Sequence, residues 1–310
     1  MRIHTDFTNY NAINPVVTVG AFDGVHLGHL EILKRLKQIA DETSGEAVVV
    51  SFWPHPRHIL NAHLSLKLLN TPSEKNVLLK NAGIDHLVII PFDSSFSDLS
   101  SSQFIKSYLV ERLKVKNILM GYNHHFGKDR QGNIDLIRQY SVEFGFKVNQ
   151  IPPHIIENEK ISSTKIRHAI AEGEIEFANK LLGYHYLITG NVVEGKKLGR
   201  EIGFPTANIR IDEEYKLIPK DGVYAVKVTV NNVIYKGMLN IGYRPTVNAD
   251  IISKTLEVHI LEFYEDIYNQ QITIEFVAKI RDEIKFPGLS ALKAQLELDK
   301  RVTGDILSLD

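Results

Sequence analysis

The residues of this chain best suited to chemistry are two histidines set among glycines, in Gly20-Ala21-Phe22-Asp23-Gly24-Val25-His26-Leu27-Gly28-His29. His26 and His29 are three apart, so once a helix has begun they share one face and can point donors at the same anion. Gly20, Gly24 and Gly28 remove side chains where a backbone must approach a ligand closely. The stretch reads as a phosphate clamp, although a glycine-rich turn with locally satisfied histidines would also serve simply to join a strand to a helix. A second group, Ile161-Ser162-Ser163-Thr164-Lys165-Ile166-Arg167, sets hydroxyls at a helix start, where they cap free N–H groups. Arg167 then lies about one turn inside the helix. From there it can reach back to a phosphate held at the same positive end.

Elements that position these groups are legible around them. Pro15-Val16-Val17-Thr18-Val19 is a short β-branched run bounded by Pro and Gly, which predicts a buried strand, and Leu30, Leu33, Leu36 and Ala40 recur at helical spacing. The histidine motif therefore falls on a strand-to-helix turn, where the first helical turn offers unpaired N–H groups and about half a unit of positive charge. Further strands are expected at 47–52, 86–90, 117–120 and 147–151. Helices are expected from Thr71-Pro72-Ser73-Glu74 to about 83, from the capping box Ser100-Ser101-Ser102-Gln103, and over 134–144, closed by Gly145. Strands alternating with helices, each strand uniformly apolar, imply α/β architecture with a parallel sheet covered on both faces. Ligands then collect at the carboxyl ends of the strands. There lie the histidine turn, the loop Phe52-Trp53-Pro54-His55-Pro56-Arg57, and the loop Gly121-Tyr122-Asn123-His124-His125-Phe126-Gly127. His124 and His125 are adjacent, face apart, and make a poor metal pair.

Composition narrows the function classes. A length of 310 residues favours two domains of about 150 residues each, and 44% hydrophobic content suffices for two cores. A net charge of -1 supplies no global attraction for nucleic acid or an anionic membrane, so binding of phosphates must be local. With no cysteine, disulfides, thiolate metal sites and thiol nucleophiles are excluded. The Met1-Arg2-Ile3-His4-Thr5-Asp6 start lacks a basic-then-apolar leader, and no apolar run approaches the roughly 18 residues that span a bilayer. A cytoplasmic protein is expected, and self-association is left open.

From Tyr184 the pattern changes to alternation with period two, as in Val223-Tyr224-Ala225-Val226-Lys227-Val228-Thr229-Val230, then Asn231-Asn232, then Val233-Ile234-Tyr235-Lys236-Gly237-Met238. Two Asn between such runs fit a tight hairpin with positive φ. Strands at 256–263 and 271–280 follow, then a late helix over 290–300. This reads as an antiparallel barrel or sandwich. Gly195-Lys196-Lys197-Leu198-Gly199-Arg200-Glu201-Ile202-Gly203-Phe204-Pro205-Thr206-Ala207-Asn208 is a glycine-rich basic loop, either a phosphate cradle or a long barrel turn. It is not a Walker A sequence. Glu257 alternates with Leu256 and Val258, as any outward-facing strand residue would.

The first motif resembles the His-x-Gly-His signature of the adenylyltransferase superfamily, and its wording is similar to that of bacterial bifunctional riboflavin kinase/FAD synthetases. Ser162-Ser163-Thr164 with Arg167 resembles that family's second nucleotide motif. Gly203-x-Pro205-Thr206-Ala207-Asn208, Gly222-Val223-Tyr224-Ala225, the run from Asn240 to Val247, and Glu257-Val258-His259 resemble its kinase fingerprint. The resemblance covers nearly the whole chain. It departs at Glu262, where the family usually has Asp, and at Asn269, where it usually has Gly.

The resemblance implies a Rossmann-like nucleotidyltransferase domain over 1–183 and a six-stranded riboflavin kinase barrel over 184–310. ATP would phosphorylate riboflavin in the second and adenylylate FMN to FAD, releasing pyrophosphate, in the first. Implied for adenylyl transfer are His26, His29 and Arg167 as catalytic residues, with Gly20, Phe22, Asp23, Gly24, Asn123, Ser162, Ser163 and Thr164 binding nucleotide. Phe52, Pro54, His55 and Phe126 are candidates for the flavin. For the kinase, Glu257 is the implied general base, Thr206 and Asn208 hold Mg2+ and ATP phosphates, and Gly195, Gly199 and Arg200 bind nucleotide. The partners expected are small molecules, with neither nucleic acid nor membrane. A competing reading joins a nucleotide-binding fold to an RNA-binding barrel without flavin activity, which would need a basic groove interleaved with aromatics.

Overall fold

The computed structural model describes residues 1–60, 65–121, 125–151, 155–156, 159–195, 198–245 and 252–309. The chain forms two compact units, Met1–Leu66 with Pro72–Ser162, and Lys67–Thr71 with Ser163–Asp310.

In the first unit, β1 (Arg2–His4), β2 (Val16–Val19), β3 (Ala47–Trp53), β4 (His86–Pro91), β5 (Asn117–Gly121) and β6 (Lys147–Ile151) form one parallel sheet in the order β1-β4-β3-β2-β5-β6. Alternate strand residues feed two cores. Val17, Val48, Val50 and Ile118 pack with Phe104, Ile105 and Leu109 on one face, while Val16, Ala47, Val49 and Leu119 pack with Leu33, Leu36 and Leu79 on the other. Burial on both faces is why the strands read as unbroken apolar runs.

Helices α1 (Leu27–Glu42), α2 (Pro56–Leu60), α3 (Pro72–Asn81), α4 (Ser94–Ser97), α5 (Ser101–Phe104) and α6 (Ile134–Phe144) lie between the strands. The Ser100/Gln103 capping box opens α5, which runs on as a π-helix over Ile105–Arg112. Gly145, at φ 70°, closes α6 in the left-handed region that glycine tolerates. The edge strand β1 is an addition to the five strands expected from sequence. Its three residues carry no apolar run, and a buried His4–His86 hydrogen bond of 2.9 Å ties it to β4. A small hairpin, β7 (Ile155–Ile156) with β8 (Glu159–Lys160), completes the unit's described elements.

The second unit begins with α7 (Ser163–Glu172) and α8 (Ile175–Leu182). A closed antiparallel barrel follows, made of β9 (Tyr186–Val193), β10 (Ala207–Arg210), β11 (Gly222–Val230), β12 (Val233–Pro245), β13 (Ile252–Ile260) and β14 (Gln271–Arg281), in the order β10-β13-β12-β11-β14-β9. Asn231 and Asn232, at φ 49° and 66°, make the tight turn between β11 and β12. A short α9 (Leu198–Glu201) leads into β10, and α10 (Leu289–Leu309) runs well beyond the 290–300 expected. Its outer turns are held where Asp299, 1% exposed, accepts two-pronged hydrogen bonds from Arg281.

The segment Lys67–Thr71 packs with the barrel through Lys216. That ammonium, 2% exposed, donates to the Leu69 and Leu187 carbonyls at 2.7 Å each and lies 4.6 Å from the Tyr186 ring centroid. The change of pattern at residue 184 coincides with the approach to β9, while packing also groups α7 and α8 with the barrel.

Candidate functional site

Strand order reverses direction between β2 and β5, and the carboxyl ends of strands at such a point are where parallel sheets bind ligands. The loop after β2 carries the histidines. Gly20 N–H donates to Val50 O at 3.0 Å, which keeps the loop beside β3. The backbone then passes through positive φ at Phe22 (50°), Gly24 (88°) and Val25 (34°). For a β-branched residue that geometry is strained, roughly 1–3 kcal/mol, and persists only when its surroundings hold it.

His26 is the N-cap of α1, its Nδ1 accepting from His29 N–H at 3.3 Å. A ring nitrogen that accepts carries no proton, so neutral His26 bears its hydrogen on Nε2. The two imidazoles stack with centroids 3.7 Å apart. A Cβ on Gly28 would stand 3.3 Å from the His26 ring, so the glycine leaves that ring its place. His29 Nδ1 is buried and has no hydrogen-bond partner among the described residues. Burial, then the neighbouring His26 and Lys75, hold the pKa of His29 well below 6.5. The cluster thus sets two stacked imidazoles beside a helix N-terminus, a place suited to an anion's oxygens.

Beneath the loop lies a group absent from the sequence-based candidates. Lys75 Nζ donates to Ser51 Oγ at 2.9 Å and to Ala21 O at 3.3 Å, and Ser51 Oγ itself donates to Ala21 O at 3.3 Å. Burial lowers the Lys75 ammonium to about 8, opposed by the charge of Asp23. Thr71-Pro72-Ser73-Glu74-Lys75 signals only a helix start, and nothing in that pattern marks the lysine.

Of the flavin candidates, Phe52 and Phe126 pack against the same core, Phe52 beside Phe92 and Phe96, Phe126 beside Phe104. Pro54 is exposed, and His55 Nδ1 accepts from Arg57 N–H at 3.2 Å. Asn123 lies outside the described residues. Ser162 is the last residue of the first unit and Ser163 opens α7 in the second, where Arg167 donates to Thr164 Oγ1 at 3.4 Å.

In the barrel, Asn208 on β10 and Asn240 on β12 both pair with Glu257 on β13. Thr206 Oγ1 lies 3.5 Å from Glu257 Oε2. Gly195 closes against the cluster, since a Cβ there would stand 2.1 Å from the Asn208 amide nitrogen, and a Cβ on Gly199 would stand 2.2 Å from Phe204 O. Hydroxyl, amide and carboxylate oxygens together form a hard donor set that fits Mg2+. A cleft opens beside them, lined by Arg200, Pro205, Thr206, Ile260, Phe263 and Tyr268. Arg200 reaches Tyr268 Oη at 3.4 Å. His259 Nδ1 donates to Pro205 O at 2.7 Å, which pins the loop carrying Thr206, and burial lowers its pKa from 6.5. Lys196 and Lys197 lie outside the described residues. Glu262 and Asn269, the two departures noted above, both adopt positive φ, 54° and 61°.

The fold is that of a two-part transferase: a parallel-sheet unit with a glycine-histidine turn at a helix N-terminus, and a closed barrel in which a carboxylate stands beside Thr206. A family model for FAD synthetase matches residues 9–165, and one for riboflavin kinase matches 182–307. A bifunctional riboflavin kinase/FMN adenylyltransferase from Listeria monocytogenes is 42% identical, covering 94% of this chain and 92% of its own. One from Haemophilus influenzae is 41% identical over 91% of each. A Streptococcus pneumoniae crystal structure titled as a macrolide-efflux protein superposes with TM-score 0.88 at 32% identity, covering 97% of both chains. The chain belongs to the bifunctional riboflavin kinase/FMN adenylyltransferase family. These matches do not favour the RNA-binding reading of the barrel.

Proposed function

We infer that this chain makes FAD in two steps, riboflavin to FMN in the barrel and FMN to FAD in the parallel-sheet half, consuming ATP in each. The observation that carries the reading is the presence in one chain of both the stacked His26/His29 pair beyond β2 and the Thr206/Asn208/Glu257 cluster in a closed barrel.

In the kinase step, the Glu257 carboxylate accepts the proton of the ribityl 5'-hydroxyl as that oxygen attacks the γ-phosphorus of ATP, and ADP leaves. Thr206 and Asn208 would hold Mg2+, which when bound neutralises phosphate charge. The loop from Gly195 to Asn208 orients the phosphates, with Arg200 at the cleft wall.

In the adenylyl step, a phosphate oxygen of FMN attacks the α-phosphorus of ATP, the bond to the bridging oxygen breaks, and pyrophosphate leaves. The substrate brings its own nucleophile, so the residues' work is alignment and stabilisation of growing charge. We assign this to His26 and His29, with Arg167, Ser162, Ser163 and Thr164 as the second nucleotide-handling group and Gly20, Phe22, Asp23 and Gly24 shaping the loop. Asn123, Phe52, Pro54, His55 and Phe126 remain assigned to the adenosine and flavin ends. The proposed division of labour is 1–183 and 184–310.

A cytoplasmic location, where ATP is held, belongs to this reading. Among the described residues no helix is long and apolar enough to cross a membrane. Purified protein given riboflavin, ATP and Mg2+ yields FMN and then FAD, resolved by chromatography. Absence of both products, under conditions where a known enzyme of the family forms them, refutes the reading.

A further inference from the structure

The histidine loop has a foundation that neither the motif nor the family descriptions mark. Its backbone holds Phe22 and Val25 at positive φ, a conformation that needs support from outside the loop. Two side chains converge on the carbonyl of Ala21 at the base of this turn. One is Ser51, fully buried two residues before the end of β3, and the other is Lys75 from the first turn of α3. Lys75 and Ser51 are also bonded to each other, so three groups close a triangle under the loop.

A buried ammonium is costly unless it is paired or serves a purpose. Here its hydrogen bonds go to two neutral oxygens, while its charge acts on Asp23 in the loop above and on His29 in α1. A cation in this place does something more: it sits where the turn will receive a polyanion, and the same side chain fixes the Ala21 peptide from which the turn departs.

We propose that Lys75 is a positioning residue for adenylyl transfer, setting the Ala21–Gly24 backbone and favouring negative charge above it without touching the reacting atoms. This rests on the adenylyltransferase assignment of the first unit. The lysine acts on transition-state alignment, so its removal appears in kcat more than in substrate affinity.

The test uses the full-length chain, whose riboflavin phosphorylation reports that the protein is folded. Lys75→Met, which keeps the length but loses donors and charge, should lower kcat for FMN adenylylation about 100-fold. The KM values for FMN and ATP should change by less than about threefold, a far smaller loss than the one in kcat. Riboflavin phosphorylation should be unchanged. Lys75→Ala should lose adenylylation likewise and regain part of it when ethylammonium is added, because a small cation can occupy the vacated space. Adenylylation by Lys75→Met at the parent rate overturns the proposal. So does loss of both activities together, or a rise in KM with kcat unchanged, or failure of ethylammonium to rescue a folded Lys75→Ala protein. If the parent chain forms FMN but no FAD, it is the adenylyltransferase reading that fails, not the role given to the lysine.

Discussion

His26 and His29 stand face to face with planes 15° from parallel, and the His29 N–H donates to the His26 ring that caps its own helix. The imidazole that caps α1 is therefore the same one proposed to receive the anion. Replacing His29 removes a ring from the stack without removing the cap, so His29→Ala should stop FAD formation, by about 100-fold or more, and leave the fold intact. Chromatography of the two products separates the cases, since FMN formation from riboflavin continues. His29 is held neutral to well below 6.5, so kcat/KM for adenylylation should fall on the acid side only below that value.

Glu257 makes the complementary prediction. Glu257→Gln keeps the size and a hydrogen-bond partner for Thr206 but can no longer take a proton. Riboflavin phosphorylation should drop by about 100-fold or more, while FMN supplied directly is still converted to FAD. A variant that lost both would argue against separate sites.

The bond from His259 to the Pro205 carbonyl predicts a milder phenotype. His259→Ala frees the loop that carries Thr206, which should raise the KM for ATP in the kinase reaction by about tenfold with a smaller effect on kcat. His259→Asn places a donor near the position of Nδ1 and should restore most of the loss. Steady-state kinetics with ATP varied decides the point.

At the other end of the first unit, buried His4 and His86 form a chain with the half-buried Glu46, His86 Nε2 lying 3.1 Å from the Glu46 carboxylate and His86 Nδ1 2.9 Å from His4 Nε2. Burial, then the charge of His86, lowers the His4 pKa from 6.5. The folded chain thus resists a proton that the unfolded chain accepts. Stability from this group is complete above 6.5 and declines as pH falls through the lowered folded value. Thermal unfolding between pH 7.5 and 5 should show a decrease in Tm that is smaller in His4→Gln.

Much of the architecture could be read from the chain because local signals agreed with tertiary ones. The Ser100/Gln103 capping box, the Gly145 terminus and the Asn231-Asn232 turn are set by neighbours a few residues away, and all three occur as expected. The edge strand β1 was hidden because its pairing rests on His86, far along the chain. The histidine turn was visible as a motif, but its support was not. Lys75 and Ser51 meet Ala21 only after β3 and α3 have packed, and neither carries a local pattern. Within α10 the burial of Asp299 was equally hidden, because this charged residue is in the interior only where Arg281 of β14 meets it.

Lys216 gives the chain an unusual accounting of what belongs to what. The stretch Lys67–Thr71, which immediately precedes α3 in sequence, supplies a carbonyl that this interior ammonium uses as an acceptor. A gene fragment starting at residue 184 would therefore encode every strand of the barrel and still be incomplete, with a positive charge sealed inside and one of its oxygen partners left behind on the discarded half.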